Sequence, residues 1–180
     1  MQSQVVQFQQ VTPLIILPEY KVPLSGRGND SQNDIFVLAK ASDQQLISIA
    51  VEGKVEESFG STLKMWKQSG KGYTDNKQIR LNYLQEQVGL EHIPDTIYYQ
   101  LLHRCASAVI EARRFNARYA VMLVHSFSLQ GSWFDEYAKF TMLYGKKFEK
   151  DKLFHLASLG DVELYSGWVT GNPKFLNRFV

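Results

Sequence analysis

The sequence has little cysteine, little net charge and no long apolar run, and each shortage narrows what the chain can be. One cysteine, Cys105, excludes an internal disulfide and fits a reducing compartment. It falls on the apolar face of a helical stretch, where the expected role is a small buried hydrophobe and not a nucleophile. No stretch approaches the roughly 20 apolar residues that span a bilayer, so no membrane partner is expected. The first twenty residues contain no Lys or Arg, and Leu14-Ile15-Ile16-Leu17 is too short for a signal-peptide core, which makes a cytoplasmic location the expectation. A formal net charge of +2 permits nucleic-acid binding but does not argue for it, because strong non-specific binders carry a visible basic patch.

What is present is the composition of an ordinary folded protein, with 44% hydrophobic and 21% charged residues. A length of 180 residues fits one domain with one core, taken as residues 1–180. Residues 1–33 form a poorly defined N-terminal segment: Pro13, Pro18 and Pro23 exclude a continuous helix, and Gly26-Arg27-Gly28-Asn29-Asp30 reads as a loop. Tyr20 to Leu24 reads as a short edge strand. Beyond it, Asp34 to Lys40 and Leu46 to Val55 read as two strands joined by polar turn residues, a hairpin. Helical spacing follows at Phe59, Leu63 and Trp66, then at Leu81, Leu84 and Val88 with Gly89 as the C-terminal cap.

A long helix is expected from Asp95, as N-cap, to about Phe115. Tyr119 to Val124 is apolar without alternation, as in a strand covered on both faces. Ser132-Trp133-Phe134-Asp135 resembles a capping box that opens a helix running to Gly145, and Val162 to Val169 reads as the last strand. Hairpin, helices, buried strand, helix and strand together predict an α/β fold with a mixed sheet of about five strands.

Chemistry concentrates at the end of the second hairpin strand. Side chains two apart on a strand share a face, so Glu52 and Lys54 project together, while Ile47, Ile49, Val51 and Val55 project into a packed layer on the other side. Pairing Lys40 with Leu46 around a five-residue loop places Asp34 directly opposite Glu52. Two carboxylates that close repel, and such pairs share a cation or a proton.

Asp34 followed by Glu52-Gly53-Lys54 on a hairpin, with a helix after it, resembles the Asp…(Asp/Glu)-x-Lys core of the PD-(D/E)XK, or restriction-endonuclease-like, superfamily. The resemblance runs by element order over about residues 31–128. Ala50-Val51-Glu52-Gly53-Lys54-Val55, Tyr99-Gln100-Leu101-Leu102-His103-Arg104 and Leu123-Val124-His125-Ser126-Phe127 look like phrases from a bacterial branch of unassigned function. It implies a three-layer α/β/α fold, with Asp34 and Glu52 as ligands of Mg²⁺ (or Mn²⁺) and Lys54 positioning the attacking water. Asn33 stands where the motif's name has proline. No acid on an N-terminal helix is identifiable, Glu19, among prolines, being the nearby candidate.

Gln100, Arg104, Ser107 and Glu111 share a face of the long helix, so Gln100 and Arg104 are expected either to support the site or to form a solvated stripe. His125 ends the buried strand; if that strand runs parallel beside Leu46–Val55, His125 comes near Lys54, the other reading being a satisfied core histidine. His103 and His155 are expected to be structural. The resemblance thus implies a Mg²⁺-dependent phosphodiesterase with nucleic acid as partner. The alternative is a catalytically inactive domain of the same fold, used for binding or structure, which the near-neutral charge fits; a small-molecule enzyme is a remoter reading. A homodimer is compatible with each.

Overall fold

The computed structural model describes residues 4–176; the first three residues of the N-terminal segment and the last four of the expected domain lie outside the described residues. Its centre is a six-stranded mixed sheet in the order β1-β2-β3-β4-β6-β5, formed by β1 (Thr12–Val22), β2 (Ser31–Lys40), β3 (Leu46–Lys54), β4 (Tyr119–Ser126), β5 (Leu153–Leu159) and β6 (Val162–Thr170). The β1–β2, β2–β3 and β5–β6 pairs are antiparallel, while β3–β4 and β4–β6 are parallel. Helices α1 (Leu63–Gln68), α2 (Asp75–Val88) and α3 (Tyr99–Arg114) connect β3 to β4, and α4 (Phe134–Thr141) lies between β4 and β5.

The α/β class and the mixed sheet agree with the sequence, but the layering and strand count differ. All four helices contribute to one apolar cluster, with Leu63, Leu84, Leu102 and Phe140 packed over Ala50, Met122 and Leu164. Among the described residues the other face is covered by a 3-10 turn, Val6–Phe8, whose Phe8 meets Tyr119 and Tyr165 edge-to-face at 5.2 and 5.0 Å. The described residues therefore form two layers and not the expected α/β/α sandwich. The cause is topological. The crossovers from β3 to β4 and from β4 to β6 step in the same direction across the sheet, and crossovers of one handedness taken in one direction put their helices on one face.

The extra strand content comes from places where local signals were weak. β1 spans eleven residues despite Pro13 and Pro18, because an edge strand spends only half its backbone groups on pairing and tolerates proline on the free side. β5 follows a basic loop carrying Lys146, Lys147, Lys150 and Lys152 and turns into β6 at Gly160, whose φ of +68° a non-glycine residue rarely adopts.

Two helix starts also shift. α3 begins at Tyr99 and not at Asp95, whose backbone carbonyl accepts from Lys64 N–H and whose Oδ1 pairs with Lys67 Nζ at 2.6 Å. α4 begins after Trp133 with no side-chain cap, since Ser132 Oγ donates instead to Glu56 Oε2 at 2.7 Å. The long α3 lies across β3 and β4, and Ser48 Oγ donates to Ala108 O at 2.8 Å beneath it. Cys105 is fully buried there and its thiol is pushed up to about 12 by burial, the inert role expected of it. No helix among the described residues is long and apolar enough to cross a membrane.

Candidate active site

The last residues of β3 point a carboxylate and an ammonium into the helical layer. Glu52 is 3% and Lys54 4% exposed, so the charged face of this strand is the one covered by α3. Ile47 and Ile49 face the other way, into the smaller packed cluster under the 3-10 turn, as expected of them. A buried carboxylate needs donors, and α3 supplies them. Gln100 and Arg104, one helical turn apart, both reach it: Gln100 Nε2 donates to Glu52 Oε1 at 2.7 Å, and Arg104 Nε donates to Oε2 at 2.5 Å. Lys54 Nζ completes the set at 2.7 Å from Oε1. These two helix residues therefore belong to the site and are not a solvated stripe. Further along the same face, Ser107 Oγ returns to His103 O at 2.8 Å, and Glu111 receives Tyr20 Oη at 3.1 Å.

Arg104 extends the network to residues that the sequence did not mark. Its Nη1 donates to Ser31 Oγ at 3.0 Å, and Ser31 Oγ lies 2.8 Å from His103 Nδ1. Ser31 Oγ has one hydrogen and two acceptors in reach, His103 Nδ1 and, at 3.4 Å, His103 O. Arg104 Nη1, which only donates and lies 3.4 Å from Nδ1, favours Nδ1 as an acceptor and hence a neutral His103 with its proton on Nε2. Burial, helped by the charges of Arg104 and Arg80, holds His103 well below the usual histidine range and keeps it neutral. The sequence signal for His103 was its place four residues after Tyr99, beside the Gln100–Arg104 pair; Ser31 had none.

Asp34 joins from β2. The β2–β3 ladder runs from Lys40–Leu46 to Ile35–Val51, in the expected register, so Asp34 and Glu52 are the next positions along it. The contact made there differs from a simple cross-strand pair. Phe36 and Leu38 are buried at even positions of β2, whereas Ser31 and Asn33 are buried at odd ones, so the strand changes phase around Asp34. Half-buried Asp34 uses Oδ2 to accept the Gly53 N–H at 2.6 Å. Its pKa is raised, first by burial and then by the Glu52 charge. Gly53 suits this spot because a Cβ there would sit 3.3 Å from Asp34 Oδ2.

Above the network opens a cleft of about 980 Å³ whose walls include Lys21, Lys54, Trp66, Tyr99, Gln100 and Arg104. Trp66 and Tyr99 stack at 4.4 Å with their planes 9° apart. His125 does not take part. β4 runs parallel beside β3 as expected, but Glu52 is level with Val124 and Lys54 with Ser126, so alternation turns His125 to the opposite face. There its ring lies 4.4 Å from Phe127. The basic loop also stays apart: Lys152 pairs with Glu149, and Lys150 sits over Phe134. Among the described residues, no group of three or more His, Cys, Asp or Glu side chains gathers as a ready-made metal cage.

Neither the curated proteins nor the solved structures contain a match to this chain. A protein-family match does exist and covers residues 1–173, nearly the whole length. The chain belongs to the family described as Domain of unknown function (DUF6946).

Proposed function

We propose that the chain is a Mg²⁺- (or Mn²⁺-) dependent phosphodiesterase acting on nucleic acid, built on a restriction-endonuclease-like fold. The observation that best supports this reading is the convergence on Glu52 of Lys54, Gln100 and Arg104, which line an open cleft, with Asp34 near enough to feel the Glu52 charge. A hairpin, a long helix and a strand parallel to the hairpin's second strand support the fold assignment. Lys21, Lys54 and Arg104 along the cleft suit a phosphate backbone.

The donor set fits a hard divalent cation in kind. Asp34 and Glu52 both offer carboxylate oxygen, and the burial and repulsion that raise the Asp34 pKa are what a shared cation relieves. When bound, such an ion supplies Lewis acidity toward the phosphoryl oxygen and makes its bound water more acidic. The protein's own groups do the positioning. Lys54 holds its ammonium against Glu52, where it would orient water and offset developing negative charge. Arg104, whose Nε and Nη1 hold Glu52 and Ser31, adds positive charge at the cleft wall for a phosphate, and Gln100 fixes Glu52 beside it.

The test is incubation of labelled single- and double-stranded DNA and RNA with Mg²⁺, Mn²⁺ or EDTA. Metal-dependent cleavage is expected, reduced about 10²–10³-fold by Lys54→Ala. Absence of cleavage from every substrate in both metals would overturn the reading.

One observation favours a second reading, a binding domain of this fold without hydrolytic activity. Lys54 and Arg104 already neutralise Glu52 and Asp34, so these four side chains balance to zero charge with no ion added. This reading predicts nucleic-acid binding that is equal in EDTA and in Mg²⁺, with no strand scission.

A further inference from the structure

Arg80, on α2, is 5% exposed and forms no ion pair among the described residues. Its Nη1 donates to Asn29 O at 2.7 Å and its Nη2 to Gly26 O at 3.2 Å, while the buried Nε has no acceptor. A guanidinium has five N–H donors and a charge that it does not lose in proteins. Two carbonyl dipoles leave that charge largely uncompensated, and buried charges are ordinarily paired.

The loop that holds Arg80 is the Gly26-Arg27-Gly28 stretch noted in the sequence. A Cβ on Gly28 would lie 3.3 Å from Arg80 Nη2, and one on Gly26 would lie 2.9 Å from Asn76 O, so only glycine lets the backbone come this close. The same region borders a cavity of about 430 Å³ whose walls include Arg27, Lys77, Arg80, Tyr99 and His103. Its acid is the exposed Asp30, which makes no ion pair with Arg80. Tyr99 Oη is buried against Arg80, whose guanidinium is its hydrogen-bond neighbour, though at no normal geometry. Trp66, Tyr99 and His103 line this cavity and the main cleft alike, so the cavity is a side chamber of the cleft.

We propose that this chamber takes a terminal phosphate monoester of a strand held in the cleft, with Arg80 as its charge partner and Tyr99 Oη holding the guanidinium in place. A monoester carries close to two negative charges at neutral pH, against one for a diester, and so suits a buried unpaired cation flanked by Arg27 and Lys77. Free inorganic phosphate shares the chemistry. The strand-end assignment rests on the reading of the main cleft as a nucleic-acid site, while the phosphate site itself does not.

The experiment measures binding in EDTA, so that cleavage plays no part. One short oligonucleotide is prepared with a 5′-phosphate, with a 3′-phosphate and with hydroxyls at both ends, and inorganic phosphate is titrated separately by thermal shift. The wild-type chain is expected to prefer one phosphorylated form over the hydroxyl form by about tenfold or more. Arg80→Gln should erase the preference while leaving the affinity for the hydroxyl form unchanged. Tyr99→Phe keeps the ring on Trp66, removes only the hydroxyl, and should reduce the preference severalfold, which guards against a folding defect in the arginine variant. If inorganic phosphate stabilises wild type but not Arg80→Gln, and no oligonucleotide binds, the phosphate site stands and the nucleic-acid reading of the cleft falls. Equal affinity of wild type for phosphorylated and hydroxyl ends, with no effect of inorganic phosphate, would overturn the proposal.

Discussion

Arg104 Nε lies 2.5 Å from Glu52 Oε2, and both side chains are buried under α3. This contact joins the helix to the end of β3 and fixes where Gln100 and Lys54 stand relative to each other. Taking away one member leaves the other as a buried, partly unpaired charge. Arg104→Met is therefore expected to lose about 3–5 kcal/mol of stability, and Glu52→Leu combined with Arg104→Met to lose less than the two single changes summed. Urea unfolding of the three variants measures both quantities.

Ser31 stands between Arg104 and His103, accepting from one and donating to the other. Ser31→Ala should cost about 1–3 kcal/mol and leave His103 Nδ1 without its hydroxyl donor. Nitrogen-15 spectra of His103 should show a single Nε2–H tautomer in the wild type and mixed tautomers in the variant.

The hairpin register, the face shared by Glu52 and Lys54, and the α3 pair Gln100 and Arg104 were legible in the sequence because each rests on a short-range period. What was not legible depends on longer range or on broken periods. Asp34 was placed opposite Glu52 by register, yet it bonds to the Gly53 backbone because β2 changes phase beside it. His125 lies on the correct strand in the correct direction but on the wrong face, a difference of one residue that only the β3–β4 register decides. Ser31 and Arg80 sit 73 and 54 residues from their network partners Arg104 and Gly26, distances over which local patterning carries no signal. The layering followed from the direction of the crossovers, which strand order fixes and sequence pattern does not.

Two groups near the site respond to pH with opposite sign. His103 is held below its usual range, so the unfolded chain binds its proton first. The stability linked to it is complete above about pH 6.5 and is lost as pH falls below that value. Asp34 is raised, so the folded chain keeps its proton longer; the linked stability is complete below about pH 4 and is lost as pH rises through the folded pKa. Asp34→Asn should accordingly raise the melting temperature at pH 7, with the difference closing near pH 4. The His103 ring proton resonances should show no titration between pH 8 and the onset of acid unfolding.

The central claim is that Asp34 and Glu52 together hold a divalent cation. It is tested most directly by titrating Mn²⁺ into the wild-type chain, Asp34→Ala and Glu52→Gln, with the bound ion followed by electron paramagnetic resonance. The account predicts saturable binding to one site in the wild type, with Mg²⁺ as a competitor, and loss of that site in both variants. Failure of the wild type to bind Mn²⁺, or binding that survives both substitutions, would contradict it.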